Sequence, residues 1–276
     1  MPPGWWPHAN RDWEHLWKAI ARWEPDHASQ LLVCSNWQKI EQGETNFNYC
    51  LRLSQQKYFV QILSQTHREK RPVPRVDDIH AALHGLTALD EWLVPCRFES
   101  DRLRIFDWVK SNDKVKKDGD WLLLRKDFFI FLGALHSHRK KLPILNMQCH
   151  IDHYYQLARE KKSQANSYLF SLREKALLLA KSFQADTVCH NDLSPDNILV
   201  ASELGTSTLK IIDWEYACIS DPAFELAVIC ENFDLNEKQQ NRLILIYSQN
   251  SVFQIKREKL NKMKLLYRIL SELWRL

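Results

Sequence analysis

Thr187–Cys189, Ile198–Val200 and Leu209–Ile212 are short apolar runs separated by polar stretches. Each has the length of a strand and is too short for a helix, and the polar segment Ser202–Thr208 between the last two is a turn. The chain is therefore committed to a hairpin at this point, whatever surrounds it. The loop after the first run, His190-Asn191-Asp192-Leu193-Ser194-Pro195-Asp196-Asn197, carries polar groups that an apolar core would not accept, and Pro195 stiffens it. Asp213 follows the third run directly, at the end of a rigid element.

The pattern on either side of this hairpin differs. Trp13, Leu16, Trp17, Ile20 and Ala21 recur at helical spacing and predict an amphipathic helix from about Asn10 to Trp23, stopped by Pro25. Leu31–Ile40, Phe47–Leu53 and Tyr58–Leu63 read as strands. A helix follows from about Val76 to Leu89, and Leu93–Phe98 with Leu103–Val109 read as a hairpin around Glu99-Ser100-Asp101-Arg102. Lys110–Asp120 is charged and lacks periodicity, which predicts a solvated linker or loop tip. Beyond it the chain is mostly helical: Trp121–Ser137, Ile151–Lys161 and Asn166–Ser182 before the hairpin, then Asp221–Glu231, Glu237–Ser248 and about Arg257–Trp274 after it. The expected class is α+β. A small antiparallel sheet lobe with a leading amphipathic helix occupies 1–109, and a larger, mostly helical lobe occupies 110–276.

Composition narrows the function classes. The net charge of +4 over 276 residues is too small to imply nucleic acid. No apolar run approaches the roughly 18–20 residues of a membrane span, so no membrane partner is expected. The first residues show no basic segment followed by an apolar one, as a secretory signal would require. The seven cysteines are scattered without a C-x-x-C pair, as expected of reduced core thiols, and the expected location is cytoplasmic. Cys149, His150 and His153 would offer zinc ligands, but no second ligand pair follows them.

The chemistry sits in the hairpin. His190, Asp192 and Asn197 form H-x-D-x4-N, with Asp213 on the neighbouring strand. Phosphoryl transfer leaves little covalent work for a protein; positioning and charge neutralisation carry it. Asp192 is the candidate catalytic base toward an acceptor hydroxyl. Asn197 and Asp213 supply hard oxygen ligands of the kind Mg²⁺ takes while it bridges the phosphates of ATP. His190, adjacent to the base, is expected to prop the loop rather than move protons.

These residues carry a resemblance. Cys189-His190-Asn191-Asp192-Leu193 with Asn197, and Leu209-Lys210-Ile211-Ile212-Asp213-Trp214-Glu215-Tyr216-Ala217 followed by Asp221-Pro222-Ala223-Phe224-Glu225-Leu226-Ala227, resemble the aminoglycoside phosphotransferase and choline kinase superfamily. Bacterial choline and thiamine kinases look most similar. The resemblance implies a protein-kinase-like two-lobe fold and the use of ATP with Mg²⁺. It extends to Leu132–His136 and to Gln42–Asn48, where the superfamily has its nucleotide-binding turn. That makes Gly43, Thr45 and Asn46 expected nucleotide contacts. The superfamily also has a basic phosphate contact on the next strand. This chain has Gln61 there, which donates a hydrogen bond but brings no charge; Lys57 or Arg52 would be substitutes, and Asp77 or Asp78 the paired acid.

For the acceptor, aromatic faces and carboxylates suit a small cation, above all a quaternary nitrogen. Trp214, Glu215 and Tyr216 follow the metal-binding Asp directly and are the expected substrate residues, with Phe224, Glu225, Glu231 and Phe233 beyond them. Glu225-Leu226-Ala227 and Glu231-Asn232 look more like thiamine kinases, and His190-Asn191-Asp192-Leu193 more like choline kinases. The expected function is an ATP-dependent kinase acting on the hydroxyl of a small cationic alcohol, thiamine or choline. The alternatives are an aminoglycoside-type phosphotransferase, and a catalytically impaired pseudokinase that binds a small cation. Oligomeric state is not legible in the sequence.

Overall fold

The computed structural model describes residues 10–40, 46–63, 79–100, 102–115, 117–138, 142–162, 167–203 and 206–276. The chain divides into two compact units, Met1–Arg71 with Val94–Lys110, and Pro72–Leu93 with Ser111–Leu276. The boundary expected at 109/110 lies next to this division, and segment 72–93 goes with the second unit.

In the first unit, strands β1 (Trp37–Ile40), β2 (Asn46–Leu53), β3 (Gln56–Leu63), β4 (Cys96–Glu99) and β5 (Leu103–Asp107) form one sheet in the order β1-β2-β3-β5-β4. All its pairs are antiparallel, and β4 carries a register shift between Cys96 and Phe98. Alternation sends Tyr49, Leu51 and Leu53, then Tyr58, Val60 and Ile62, then Leu103 and Ile105 to one face. Helix α1 (Asn10–Trp23) covers that face with Trp13, Leu16, Ala19 and Ile20, and Ala28 and Leu31 complete the cluster. Full burial of each large apolar side chain contributes roughly 1.5–3 kcal/mol. Asp12 on α1 and Arg102 before β5 form a bidentate pair, with Nε to Oδ1 and Nη2 to Oδ2 both at 2.9 Å.

Part of the expected strand Leu31–Ile40 is helical instead. Pro25–Leu32 and Cys34–Asn36 are 3₁₀ turns, and only Trp37–Ile40 is strand. Pro25 starts the first turn, at the helical position where its missing N–H costs nothing. Trp37 Nε1 and Asn36 Nδ2 then donate to the carbonyls of Leu31 and Gln30, which holds the turn closed.

The second unit is built around α7 (Pro222–Asn232), whose residues from Pro222 to Cys230 are all buried. A helix buried on every side belongs in the middle of a core. Asp221 caps it, accepting from Ala223 N at 2.8 Å. Around it lie α2 (Ile79–His84), α3 (Gly119–Leu124), α4 (Lys126–His136), α5 (Met147–Lys162), α6 (Ser167–Ala180), α8 (Glu237–Asn250) and α9 (Arg257–Arg275). Helix α9 buries Leu260, Met263, Leu266, Ile269, Leu270 and Leu273 along one stripe. Strands β6 (Ser111–Lys114), β8 (Ile198–Glu203) and β9 (Thr206–Ile211) form one small sheet, and β7 (Thr187–Cys189) pairs with β10 (Cys218–Ser220) in another.

Several expectations change here. Ser111–Lys114, expected to be linker, is the edge strand β6 beside β8, and Asp118 in the same segment caps α3 through Asp120 N and Trp121 N. The single helix expected over Trp121–Ser137 is two, because Arg125 takes ψ 88° and its guanidinium forks onto Asp127. The expected helix from Val76 is described from Ile79 to His84, followed by a 3₁₀ turn at Thr87–Leu89; Val76, Asp77 and Asp78 lie outside the described residues. Leu93 is not part of β4. It bridges to Ile211 in the second unit.

Candidate active site

The loop between β7 and β8 is held by one buried carboxylate. Glu225, on the first turns of α7, accepts from the backbone N–H of His190 at 3.1 Å and of Asn191 at 2.6 Å. His136 Nε2–H donates to the same carboxylate at 2.9 Å, and the Tyr247 hydroxyl meets His136 Nδ1 at 2.6 Å. His136 and Glu225 side chains are wholly buried. A buried carboxylate is tolerated when its lone pairs are filled this way. Glu225 was expected near the substrate; the structure commits it to the loop's backbone instead.

His190 is the second support. Its Nε2–H donates to Ile212 O at 2.9 Å, and its Nδ1 accepts the Asp192 backbone N–H at 3.3 Å. Both bonds fit a neutral imidazole, and burial lowers its pKa. The ring packs on Trp214 with centroids 4.6 Å apart. Asn191 adopts a left-handed backbone, φ 64°, and its Nδ2 donates to Tyr216 O at 3.0 Å. Asn tolerates this conformation better than other residues bearing a Cβ.

These supports bring Asp192, Asn197 and Asp213 together. Asn197, closing the 3₁₀ turn Pro195–Asn197, donates through Nδ2 to Asp192 O at 2.8 Å and to Asp192 Oδ2 at 2.9 Å. With Nδ2 spent on Asp192, the amide Oδ1 is left as its ligand atom. Asp213 leaves β9 with φ 62°, a second left-handed non-glycine residue at the site. Its Oδ1 is buried and makes no hydrogen bond. Burial, then the charge of Asp213, raise the Asp192 carboxyl to about 7; Glu215 and Glu225 add to the effect, and the Asn197 amide opposes it. An orphaned buried carboxylate oxygen facing a second carboxylate is a place where a hard divalent cation fits.

Tyr154 of α5, Tyr216 and Tyr267 of α9 gather near Asp192. Tyr154 is hydrogen-bonded to Tyr216, and its pKa is raised by burial and then by the charge of Asp192, with Glu215 contributing. Burial and Asp192 raise Tyr267 likewise. The Tyr267 hydroxyl donates to Asn232 Oδ1 at 3.1 Å, and Asn232 Nδ2 donates to Leu193 O at 3.1 Å, which ties α9 to the loop between β7 and β8. Trp214, expected at the substrate, is 2% exposed, packed on Phe131 and His190, with Nε1–H donating to Ile211 O. Phe224 and Phe233 are core residues, and Glu231 is engaged by Lys264 and Arg268. Tyr154 was missed because its helix reads as an ordinary amphipathic one; only the packing of α5 brings it to the loop.

In the first unit, Gly43 and Thr45 lie outside the described residues, and Asn46 opens β2. Gln61 is buried on β3, between Asn48 of β2 and Arg104 of β5 in register. Lys57 sits four residues away over the Trp108 ring, and Arg52 is exposed opposite Lys57. The cysteines named above are free thiols, and His150, one of the zinc candidates, is buried against Tyr154 with its imidazole lowered to about 3.

The model of the phosphotransferase enzyme family matches residues 36–253. The chain belongs to this family. Among curated relatives of this chain, Protein LicA of Haemophilus influenzae is 33% identical over 92 residues, 31% of this chain and 33% of the relative. The match thus spans about a third of that relative's length. Two solved structures share the fold. Choline kinase LicA from Streptococcus pneumoniae superposes with a TM-score of 0.71 at 22% identity, covering 95% of this chain and 90% of the other. LicA in complex with AMP gives 0.69 at 18% identity, covering 97% and 90%.

Proposed function

We propose that this phosphotransferase moves the γ-phosphoryl group of ATP to the hydroxyl of a small quaternary ammonium alcohol, choline ahead of thiamine. The observation that carries the reading is the set of groups around Asp192: a carboxylate raised to about 7, with the buried Asp213 Oδ1 beside it and Tyr154, Tyr216 and Tyr267 nearby. Tyrosine faces attract a quaternary nitrogen, and Glu215 adds the negative charge that balances it. Kinship with LicA proteins, one of which is a choline kinase, supports choline over thiamine.

Asp213 and Asn197 Oδ1 are the groups that would hold Mg²⁺, which when bound supplies charge neutralisation to the phosphates. The chain's own residues do the rest. Asp192 in its carboxylate form accepts the proton of the acceptor hydroxyl. Asn197 Nδ2–H orients that carboxylate through Oδ2. His190 fixes the Asp192 backbone, and Glu225 fixes the two residues before it. Offsetting the Asp213 charge would remove the like-charge repulsion on Asp192 and favour its carboxylate form at neutral pH.

The test is Mg²⁺-dependent ADP release from ATP with choline, ethanolamine, thiamine and an aminoglycoside as acceptors. Stimulation by choline well above the other acceptors is expected. Stimulation by the aminoglycoside alone would replace the reading with an antibiotic-type phosphotransferase, and no stimulation by any acceptor would overturn it.

A further inference from the structure

One face of the first unit's sheet forms the apolar cluster with α1; a row on the opposite face is polar. Asn48 on β2 pairs with Gln61 on β3, Gln61 pairs with Arg104 on β5, and Arg104 pairs with Glu99 on β4. Directly opposed residues in antiparallel strands point to the same side. The row is therefore a continuous polar line across four strands. Asn48, Gln61 and Arg104 are each 7–8% exposed. Burying a guanidinium on a sheet is unfavourable unless its charge is used.

The geometry of Arg104 says how it is used. Its Nε–H donates to Glu99 Oε1 at 2.8 Å, and among the described residues its terminal nitrogens make no hydrogen bond. Glu99 thus fixes the plane of the guanidinium and leaves its outer edge for another acceptor. A planar, always-charged fork of N–H donors matches the oxygens of a phosphate. Gln61, its neighbour in register, is a neutral donor on the same face of the sheet.

We infer that Arg104, oriented by Glu99, is the cationic contact for the phosphate oxygens of the nucleotide, doing from β5 what neutral Gln61 cannot do from β3. This rests on the nucleotide-using reading proposed above. Lys57 and Arg52 are the wrong candidates: Lys57 is four residues along β3 from Gln61, and Arg52 pairs with it.

The experiment measures binding of ATP, AMP and adenosine to the full chain by calorimetry, without an acceptor, alongside the thermal midpoint of each variant. Arg104→Gln is expected to weaken ATP about tenfold or more, as loss of charge-assisted bonds does, with a smaller loss for AMP and under about twofold for adenosine. The salt dependence of ATP binding should fall in parallel. Adding Gln61→Arg to Arg104→Gln should recover most of the loss, since the two positions face one another. Should Arg104→Gln fail to fold, Glu99→Gln/Arg104→Gln removes both charges and is expected to show the same selective loss of ATP. ATP binding within twofold of the parent in either folded variant overturns the inference and leaves the kinase reading standing. A parent protein that binds no nucleotide sinks the kinase reading, and this inference with it.

Discussion

The Asp192 loop of the second unit and the polar row of the first are both buried polar clusters, but they are assembled in opposite ways. Around Asp192 the polar groups come from one contiguous stretch, and a distant buried residue, Glu225, anchors the backbone beneath them. Along the sheet each residue comes from a different strand, and strand register alone lines up Asn48, Gln61, Arg104 and Glu99. In the first case the motif carries the chemistry and the fold holds it still. In the second the fold creates the grouping, and no local motif announces it.

Replacing Asp192 with Ala breaks the first cluster at its centre. Turnover should fall by roughly 10²–10⁴, the usual share of a positioned base, with nucleotide affinity nearly unchanged. A variant with turnover near that of the parent would remove Asp192 from the mechanism.

Glu225→Ala attacks the same cluster from beneath. It strips partners from two loop N–H groups and from His136. Each buried orphan costs about 1–3 kcal/mol, so a stability loss of roughly 3 kcal/mol or more is expected in urea unfolding, with activity lost as well. Glu225→Gln, which keeps one carbonyl acceptor, should lose less. Equal stability in both variants and the parent would mean that the loop is held some other way.

Gly133→Ala probes packing outside both clusters. A Cβ there would stand 1.9 Å from the backbone oxygen of Asn250, where α4 crosses the end of α8. Neither backbone can yield cheaply, and a loss of about 1–3 kcal/mol is expected in the same unfolding assay. An unchanged midpoint would show that the two helices can separate without cost.

The smallest effect is a matter of pH. The Asp192 carboxyl titrates at about 7 in the folded protein, against about 3.9 when unfolded. Between those values the folded state holds the proton and the unfolded state does not, so without Mg²⁺ this group's contribution makes stability fall as pH rises from about 4 to 7. Asp192→Asn should therefore raise the thermal midpoint of the metal-free protein at pH 8 by a few degrees, and the gain should shrink to nothing near pH 4. A gain that is the same at both pH values would show that the charge is not its source. Asp213→Asn should lower the Asp192 pKa by removing the neighbouring charge.

Much of this was legible in the residues. The spacing of His190, Asp192, Asn197 and Asp213 marked groups that the structure brings together, because a loop between short strands fixes side chains over a few residues and leaves little freedom. The helical stripes of α1 and α9 were legible for the same local reason. Trp214 misled, since adjacency to Asp213 says nothing about which way a side chain turns at a left-handed residue, and it turned into the core. The segment after Lys110 misled because an edge strand needs no apolar alternation when its partner supplies the ladder.

The sequence by itself determined the α+β class and the phosphotransferase kinship, both set by neighbours along the chain. Only the tertiary structure decided that Glu225 serves the loop rather than a substrate, that Tyr154 and Tyr267 approach Asp192, and that Arg104 stands opposite Gln61. Each of these joins residues far apart in sequence. The burial of α7, the packing of α5 and α9 and the register of β3 against β5 bring them together, and none of that is encoded in any single stretch of the chain.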